Sequence, residues 1–503
     1  MSSSERPNIL LITTDQQRFD TIASHGNPYI DTPHLDWLSD EGISFMRAYA
    51  DCPICMPSRA TIMTGKAGYE LGLTGNSNER FPLARERTLP ELLGRNGYQT
   101  RAQGKMHFHP VRAHYGFQTM ELPMDYYRER HRLSSGAASL PKQHGIGENE
   151  MYAVISTVHE SESLTHWTVA RSIDFLETRD PTRPFFLWTS FTKPHPPFDP
   201  PANYWALYAN RTMPEPVTGE WSSDAAAMPQ GLLQPTYMLN NVQRMSPEQL
   251  DNTRRAYYAC ITHIDYALGL LFARLRELEL LQNTWIIFTS DHGDNLGDHH
   301  MGAKSNFMEG SAHIPMIVRP PAGSWDVKAH AGSRVTTPVS LADVMPTILA
   351  RVGAEAGGAD TAHGSGHAYT AQNAGHAGEL LHGTDMLAFV DSPDPERTIF
   401  GESGHFLAVI TERYKYMYCV QGGSELLFDL QTDPGERHTL TGDAEAAQLH
   451  ERMKRRLIDH LISRGSEFVA DGRLVAVPAP DGPGAVARWP GFHTTSCESD
   501  VLH

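Results

Sequence analysis

The stretch Thr284-Trp-Ile-Ile-Phe-Thr-Ser-Asp-His-Gly-Asp-Asn-Leu-Gly-Asp-His-His300 joins a short apolar run to a polar loop crowded with groups able to bind ligands. An unbroken apolar run of this length, rich in β-branched and aromatic residues, predicts a strand covered on both faces, because a strand with one wet face would alternate. Asp291 and His292 then fall at its carboxyl end. The chain opens in the same way, with Asn8-Ile-Leu-Leu-Ile-Thr13 running into Thr14-Asp15-Gln16-Gln17. Pro184-Phe-Phe-Leu-Trp-Thr-Ser190 likewise empties into Lys193-Pro-His195-Pro-Pro197, a loop stiffened by proline.

Helical patterns separate these runs. Thr32-Pro33, with Leu35 and Leu38 and a stop at Gly42, predicts a short capped helix, and Ile43 to Ala48 a strand after it. Thr88-Leu-Pro-Glu91 has the spacing of a capping box opening a helix to Gly97, with Tyr98 to Ala102 extended beyond it. Ser246-Pro-Glu-Gln249 opens a long helix whose Tyr257, Ile261, Ile264, Leu268, Leu271 and Leu275 form one apolar stripe. Alternating strands and helices predict an α/β fold with a mostly parallel sheet sandwiched by helices, and place ligand sites outside the carboxyl ends of the strands.

Residues 1–396 are expected to form this α/β unit, with 352–378, rich in Gly, Ala and His, as a mobile insertion. Beyond Arg397 the pattern changes: alternating Tyr414 to Tyr418, then Leu426 to Leu430, then an amphipathic helix from Glu445 to Ile462 predict a small α+β subdomain over 397–470. Residues 471–503 are expected to be an extended arm able to wrap a neighbour, which predicts a homo-oligomer.

At 503 residues, 40% hydrophobic and 20% charged, the chain can bury a large core, and wholesale disorder is excluded. Its net charge of −17 argues against a nucleic-acid surface, so an anionic substrate must meet a local positive pocket. The start lacks a secretory signal, no apolar stretch reaches the ~20 residues that cross a bilayer, and five sparse cysteines suggest no disulfide framework. A cytoplasmic protein without membrane association is the expectation.

The sharpest chemical signal is Cys55-Met-Pro-Ser-Arg-Ala-Thr-Ile-Met-Thr-Gly65. Pro57 suits the first helical position and Gly65 can end the helix, which leaves Cys55 at the positive, oxyanion-binding end. Taken alone, a cysteine before a helix is more often structural than catalytic; the other readings are a redox pair with Cys52 or half of a zinc site, for which no second pair stands at zinc spacing.

Cys55-x-Pro57-Ser58-Arg59 with Thr64-Gly65 resembles the signature of the type I sulfatases, in which this cysteine is oxidised to formylglycine. The resemblance continues through Asp15, Gly104-Lys105-Met-His107, Pro194-His195-Pro196, Ser290-Asp-His-Gly-Asp294 with Gly297-Asp-His299, Lys304, and Phe428-Asp-Leu430 with Asp433-Pro434. It implies an alkaline-phosphatase-like α/β sandwich. Asp15-Gln16-Gln17-Arg18 and Asp291-His292 resemble the bacterial branch that holds arylsulfatases and phosphonate monoester hydrolases.

The resemblance also implies a mechanism. The hydrated aldehyde at position 55 is a geminal diol, one oxygen of which, on a divalent cation, attacks sulfur while the other later expels sulfate. By position the metal ligands are Asp15, Gln16, Asp291 and His292, with residue 55. The implied ion is Ca2+ or Mn2+; where the family often has a second Asp this chain has Gln16, which counts against a simple all-carboxylate calcium site and leaves room for manganese or another borderline cation. Arg59, Lys105, His107 and Lys304 would balance the sulfuryl charge, and His195 would protonate the leaving oxygen, with Lys193 or Lys304 sharing that task. Asn76, Lys105, His195 and Lys304 would touch substrate, and Asp298 and His299 would support the site by hydrogen bonds.

The expected activity is hydrolysis of aryl or small alkyl sulfate monoesters, with promiscuity. Its partners would be a small anionic ester and the maturation system that converts Cys55. The nearest alternative is a phosphonate monoester or phosphate diester hydrolase using the same site. From other classes, a non-catalytic oxyanion- or metal-binding protein would keep Cys55 as a thiol, and a zinc phosphatase or mutase would use an unmodified nucleophile.

Overall fold

A computed structural model describes residues 6–76, 83, 88–133, 144, 146–147, 149–223, 228–229, 231–232, 242, 245–322, 330–353 and 382–479. In chain order its principal strands are β1 (Asn8–Asp15), β2 (Ile43–Phe45), β3 (Ala48–Tyr49), β4 (Gln99–Gly104), β5 (Thr119–Glu121), β6 (Phe185–Pro194), β7 (Thr284–Ser290), β8 (Met316–Arg319), β9 (Ser333–Val335), β10 (Val339–Ser340), β11 (Ile399–Ser403), β12 (Phe406–Ile410), β13 (Tyr414–Cys419) and β14 (Ser424–Asp429). The helices that matter for the site and its support are α1 (Pro33–Glu41), α2 (Cys55–Thr64), α3 (Leu89–Arg95), α4 (Leu164–Thr178), α5 (Pro247–Glu277), α6 (Val344–Val352) and α7 (Ala447–Ser463).

Eight strands form one sheet in the order β5-β4-β6-β1-β7-β8-β2-β9. β8 runs antiparallel to both of its neighbours, and every other pairing is parallel. Central β1 has all eight residues buried, as its unbroken apolar run requires. Its side chains alternate between two cores. Ile9 and Leu11 pack with residues of α2, α3 and α6, whereas Leu10 and Ile12 pack with residues of α1, α4 and α5. The sheet is therefore sandwiched by helices, and each fully buried Leu or Ile contributes about 1.5–3 kcal/mol.

The register decides where chemistry collects. Thr14 lies opposite Ser290, and Asp15, after a shift in the β1–β6 register, lies opposite Pro194, so the polar loops after β1, β6 and β7 leave the sheet at one edge.

Local signals fared unevenly. Ser246 and Gln249 form the expected reciprocal cap on α5, with Ser246 Oγ accepting from the Gln249 N–H at 3.2 Å and Gln249 Oε1 from the Ser246 N–H at 2.8 Å. At α3 the helix forms but the box does not. Thr88 Oγ1 instead donates to the carbonyl of Tyr115 at 2.6 Å, a tertiary partner drawing it away from the helix end. α2 begins at Cys55, so Pro57 stands third in the helix, still within the first turn where its missing N–H costs nothing. Gly65 ends it at φ 65°, the left-handed conformation a glycine adopts without strain.

The C-terminal part is an antiparallel sheet, β11-β12-β13-β14. One face, through Leu407, Val409, Tyr416 and Leu427, packs on Met453, Leu457 and Leu461 of α7. The other, through Ala408, Ile410, Met417 and Phe428, packs on Tyr49, Phe307 and Met308 of the α/β unit. The expected insertion falls outside the described residues from position 354 onward, and the expected arm does so from 480. Among the described residues no helix is long and apolar enough to cross a membrane.

Candidate active site

At the sheet edge Asp15, Cys55, Asp291 and His292 each offer one ligand atom, and these four atoms all lie within 4.8 Å of one another. Each carboxylate stands at a strand end, and Cys55 is the first residue of α2, whose N-terminal dipole faces the cluster. Sγ of Cys55 is 3.2 Å from Nε2 of His292 and 3.9 Å from Oδ1 of Asp15. Nδ1 of His292 donates to the carbonyl of Gly293 at 2.9 Å, which turns Nε2 toward Cys55 and, in the neutral tautomer, leaves its lone pair for a metal. That tautomer, two carboxylates and the sulfur position together suit a divalent cation.

Arg59 holds the two carboxylates. Wholly buried, it places Nη2 2.9 Å from Asp291 and 3.2 Å from Asp15, while Nη1 donates to Ser190 Oγ at 2.8 Å. Nζ of Lys105 lies 2.7 Å from Oδ2 of Asp15. Burial alone would raise the pKa of Asp15, but Lys105, His195, Arg59 and Lys304 outweigh it and hold the carboxyl well below its ordinary range. For Asp291 burial and the Asp15 charge win, and its pKa is raised. Burial and Asp15 oppose ionisation of Cys55 as well, yet Lys304, His292 and Lys105 bring its pKa well below that of a free thiol.

Gln16 occupies a left-handed backbone position, φ 73°, beside these ligands. Its N–H donates to Asp291 Oδ1 at 3.1 Å, Nε2 donates to Asp294 Oδ2 at 2.5 Å, and Oε1 accepts from Lys304 Nζ at 2.6 Å. Lys304 also donates to Cys55 Sγ at 3.4 Å. Nδ1 of His195 donates to the Pro196 carbonyl at 2.9 Å. Burial first, then Lys304 and Lys105, depress its pKa well below the histidine value, so the ring is neutral as it stands.

Other expected residues take different places. Asn76 caps the nucleophile helix, its Oδ1 accepting from the N–H of Met56 at 3.1 Å. His107, half-buried at φ 54°, has Nδ1 buried without a hydrogen-bond partner. Lys193 turns away from the cluster to pair with Asp199. Asp298 binds Arg18 at 2.7 Å and Arg254 at 3.4 Å, and His299 binds Ser222 at 2.8 Å. Cys52 is a buried free thiol whose pKa burial pushes up.

Two contributors went unread in the sequence. Ser190 follows Thr189 where the apolar run of β6 gives way to polar residues, and that change was the available signal. Tyr257 sat within the helical stripe as a core residue, yet its hydroxyl donates to the Gln16 carbonyl at 2.6 Å and accepts the Arg18 N–H at 3.0 Å, holding the strained turn.

A mostly parallel sheet between helices, with acidic strand ends gathered around a cysteine at a helix N-terminus, is the alkaline-phosphatase-like arrangement. A sulfatase family profile matches residues 7–354. The arylsulfatase of Clostridium perfringens is 31% identical, over 93% of this chain and 97% of that protein. The multifunctional alkaline phosphatase superfamily protein PehA of Trinickia caryophylli is 30% identical, over 88% and 93%. In fold, the chain superposes on the phosphonate monoester hydrolase of Agrobacterium radiobacter with a TM-score of 0.73 at 24% identity, over 94% and 100% of the two chains. The chain belongs to the sulfatase family and is a sulfuric ester hydrolase.

Proposed function

We propose that the protein hydrolyses aryl or small alkyl sulfate monoesters, using formylglycine made from Cys55 and one divalent cation, Ca2+ or Mn2+. The observation that carries this reading is the packing of Cys55 against Asp15, Asp291 and His292 under the cations Arg59, Lys105 and Lys304. Asp15, Asp291 and His292, with Gln16 beside them, would hold the cation together with residue 55. Once in place, the ion would supply electrophilic stabilisation and the hydrated aldehyde a hydroxyl to attack sulfur and another to expel sulfate.

The chain's own residues do the rest. Lys105 and Lys304 flank residue 55 and bind the sulfuryl oxygens, and Arg59 keeps two adjacent carboxylates from repelling each other apart. His195 meets the departing oxygen through Nε2, since Nδ1 is already committed to Pro196. Burial first, and then the charges of Lys304 and Lys105, hold the ring neutral; the arriving anion offsets the two lysines and so favours the protonated ring that delivers a proton. Asn76, by capping α2, keeps residue 55 and the helix dipole aimed at the anion.

A second reading, a phosphonate monoester or phosphate diester hydrolase with the same site, is prompted by the fold shared with a phosphonate monoester hydrolase and by the similarity to PehA, which is named multifunctional. A sulfate monoester and a phosphonate monoester each carry one negative charge, so the two lysines suit either. The deciding measurement is the ratio of kcat/KM for a nitrophenyl sulfate and a phenyl phosphonate monoester, on protein whose residue 55 has been checked for conversion. A ratio well above one is expected, and one well below it moves the preference to phosphonates. No hydrolysis of either ester by converted, metal-loaded protein overturns the catalytic reading.

A further inference from the structure

The turn that carries His195 is filled by an ion pair. Nζ of Lys193 pairs with Oδ1 of Asp199 and donates to the carbonyl of Pro197 at 2.5 Å and, more weakly, to that of His195 at 3.5 Å. The other Asp199 oxygen faces Nε2 of His144 at 3.3 Å. Because Nδ1 of His144 accepts the N–H of Ile146 at 3.1 Å, the ring proton sits on Nε2 and is donated to Asp199. The side chains of Lys193, Asp199 and His144 are 18%, 13% and 5% exposed, too enclosed for a solvated surface pair.

Both ends of the turn are pinned. Pro194 lies in register with Asp15. On the far side Phe198 pairs with Ala153, its carbonyl accepting the Val154 N–H at 3.1 Å, and the Pro200 carbonyl accepts the Ser156 N–H at 3.0 Å. Two charges withdrawn from water in this way add stability only with good geometry, and their better-attested benefit is a fixed arrangement.

We propose that Lys193 and Asp199, with His144 fixing Asp199, are positioning residues that set where Nε2 of His195 stands over the ester, and that Lys193 itself moves no proton. The inference rests on the reading of His195 as the group that protonates the leaving oxygen. Displacing a reacting group by about 1 Å can cost about 100-fold. That cost falls where the proton is needed, on strongly basic leaving groups, because a nitrophenolate departs without help.

The test uses converted, metal-loaded enzyme carrying Lys193→Met or the isosteric Asp199→Asn, with kcat and KM measured over aryl esters from nitrophenyl to alkylphenyl. Expected is a kcat loss of about 10- to 100-fold for alkylphenyl esters and less than about threefold for nitrophenyl, with KM unchanged. Asp199→Asn combined with His195→Ala should be no slower than His195→Ala alone. An equal loss across the series, or losses that multiply in the double variant, overturns the proposal. If His195→Ala itself slows every ester equally, the reading of His195 fails instead. The positioning claim is then judged by a crystal structure of Asp199→Asn, in which an unmoved imidazole overturns it and a displaced one supports it.

Discussion

Arg59 is the residue on which the two acidic strand ends depend. It lies between Asp15 and Asp291 with no exposure, and its guanidinium also reaches Ser190. Arg59→Met would leave both carboxylates buried without it, and a loss of about 3–5 kcal/mol in folding free energy is expected, read as a lower denaturant midpoint at unchanged slope. Cys55→Ala makes a different prediction, because Asp15, Asp291 and His292 remain. Turnover should fall by about 1000-fold or more while divalent metal content, measured by elemental analysis, is largely kept. These residues were legible as a set, since each stands in a motif at a strand or helix end. The partners of Gln16 were not: Lys304 and Asp294 reach its side chain across 288 and 278 positions of chain, a distance no local pattern spans.

Among the elements, the junction of β4 and β6 leaves no room for a side chain. Gly104 has φ 91°, and a Cβ there would stand 2.0 Å from the carbonyl of Ser190, the same carbonyl that accepts the Lys105 N–H at 2.9 Å. Gly104→Ala should therefore destabilise by more than the roughly 1–2 kcal/mol of left-handed backbone strain, and should displace Lys105 as well. The checks are thermal unfolding and KM for an anionic ester, both of which should worsen. Helix starts show why element reading succeeds in part. Ser246 keeps its cap because both partners are local, whereas Thr88 finds a better acceptor in Tyr115, brought near only by folding. The buried strands β1, β6 and β7 were legible, because burial on both faces imposes an unbroken apolar run whatever the neighbours are, whereas the one strand expected over Ile43 to Ala48 is two, β2 and β3, in different sheets.

At the scale of the molecule, the C-terminal sheet meets the α/β unit through a buried charge cluster. Lys415, wholly buried on β13, places Nζ 2.7 Å from Glu309 and 2.6 Å from Glu436, and Glu309 also faces His313 at 2.7 Å. Burial, aided by Glu309 and opposed by Lys415, pushes the Glu436 carboxyl from 4.5 up to about 7. A carboxyl whose native pKa exceeds its unfolded one binds its proton in the folded state. Its contribution to stability is thus complete below pH 4.5 and lost as pH rises through about 7. Melting temperature should fall across that window, and Glu436→Gln should flatten the fall; an unchanged pH profile in the variant would refute the assignment.

The sequence by itself determined the α/β class, the strand ends that carry Asp15, His195 and Asp291-His292, and Cys55 at the mouth of a helix, because apolar periodicity and helix-terminus chemistry are local properties. Only the tertiary structure decided which of those ends meet. The β1 register sets Asp15 beside Pro194 and Thr14 beside Ser290, and that juxtaposition turns separate motifs into one cluster. It also decided what each side chain does within reach of the others: Asn76 caps a helix, Lys193 fills a turn, and Tyr257 keeps its ring in the core while its hydroxyl holds Gln16. The physical reason is that a hydrogen bond or ion pair depends on distances of a few ångströms between particular atoms, which packing fixes and periodicity does not encode.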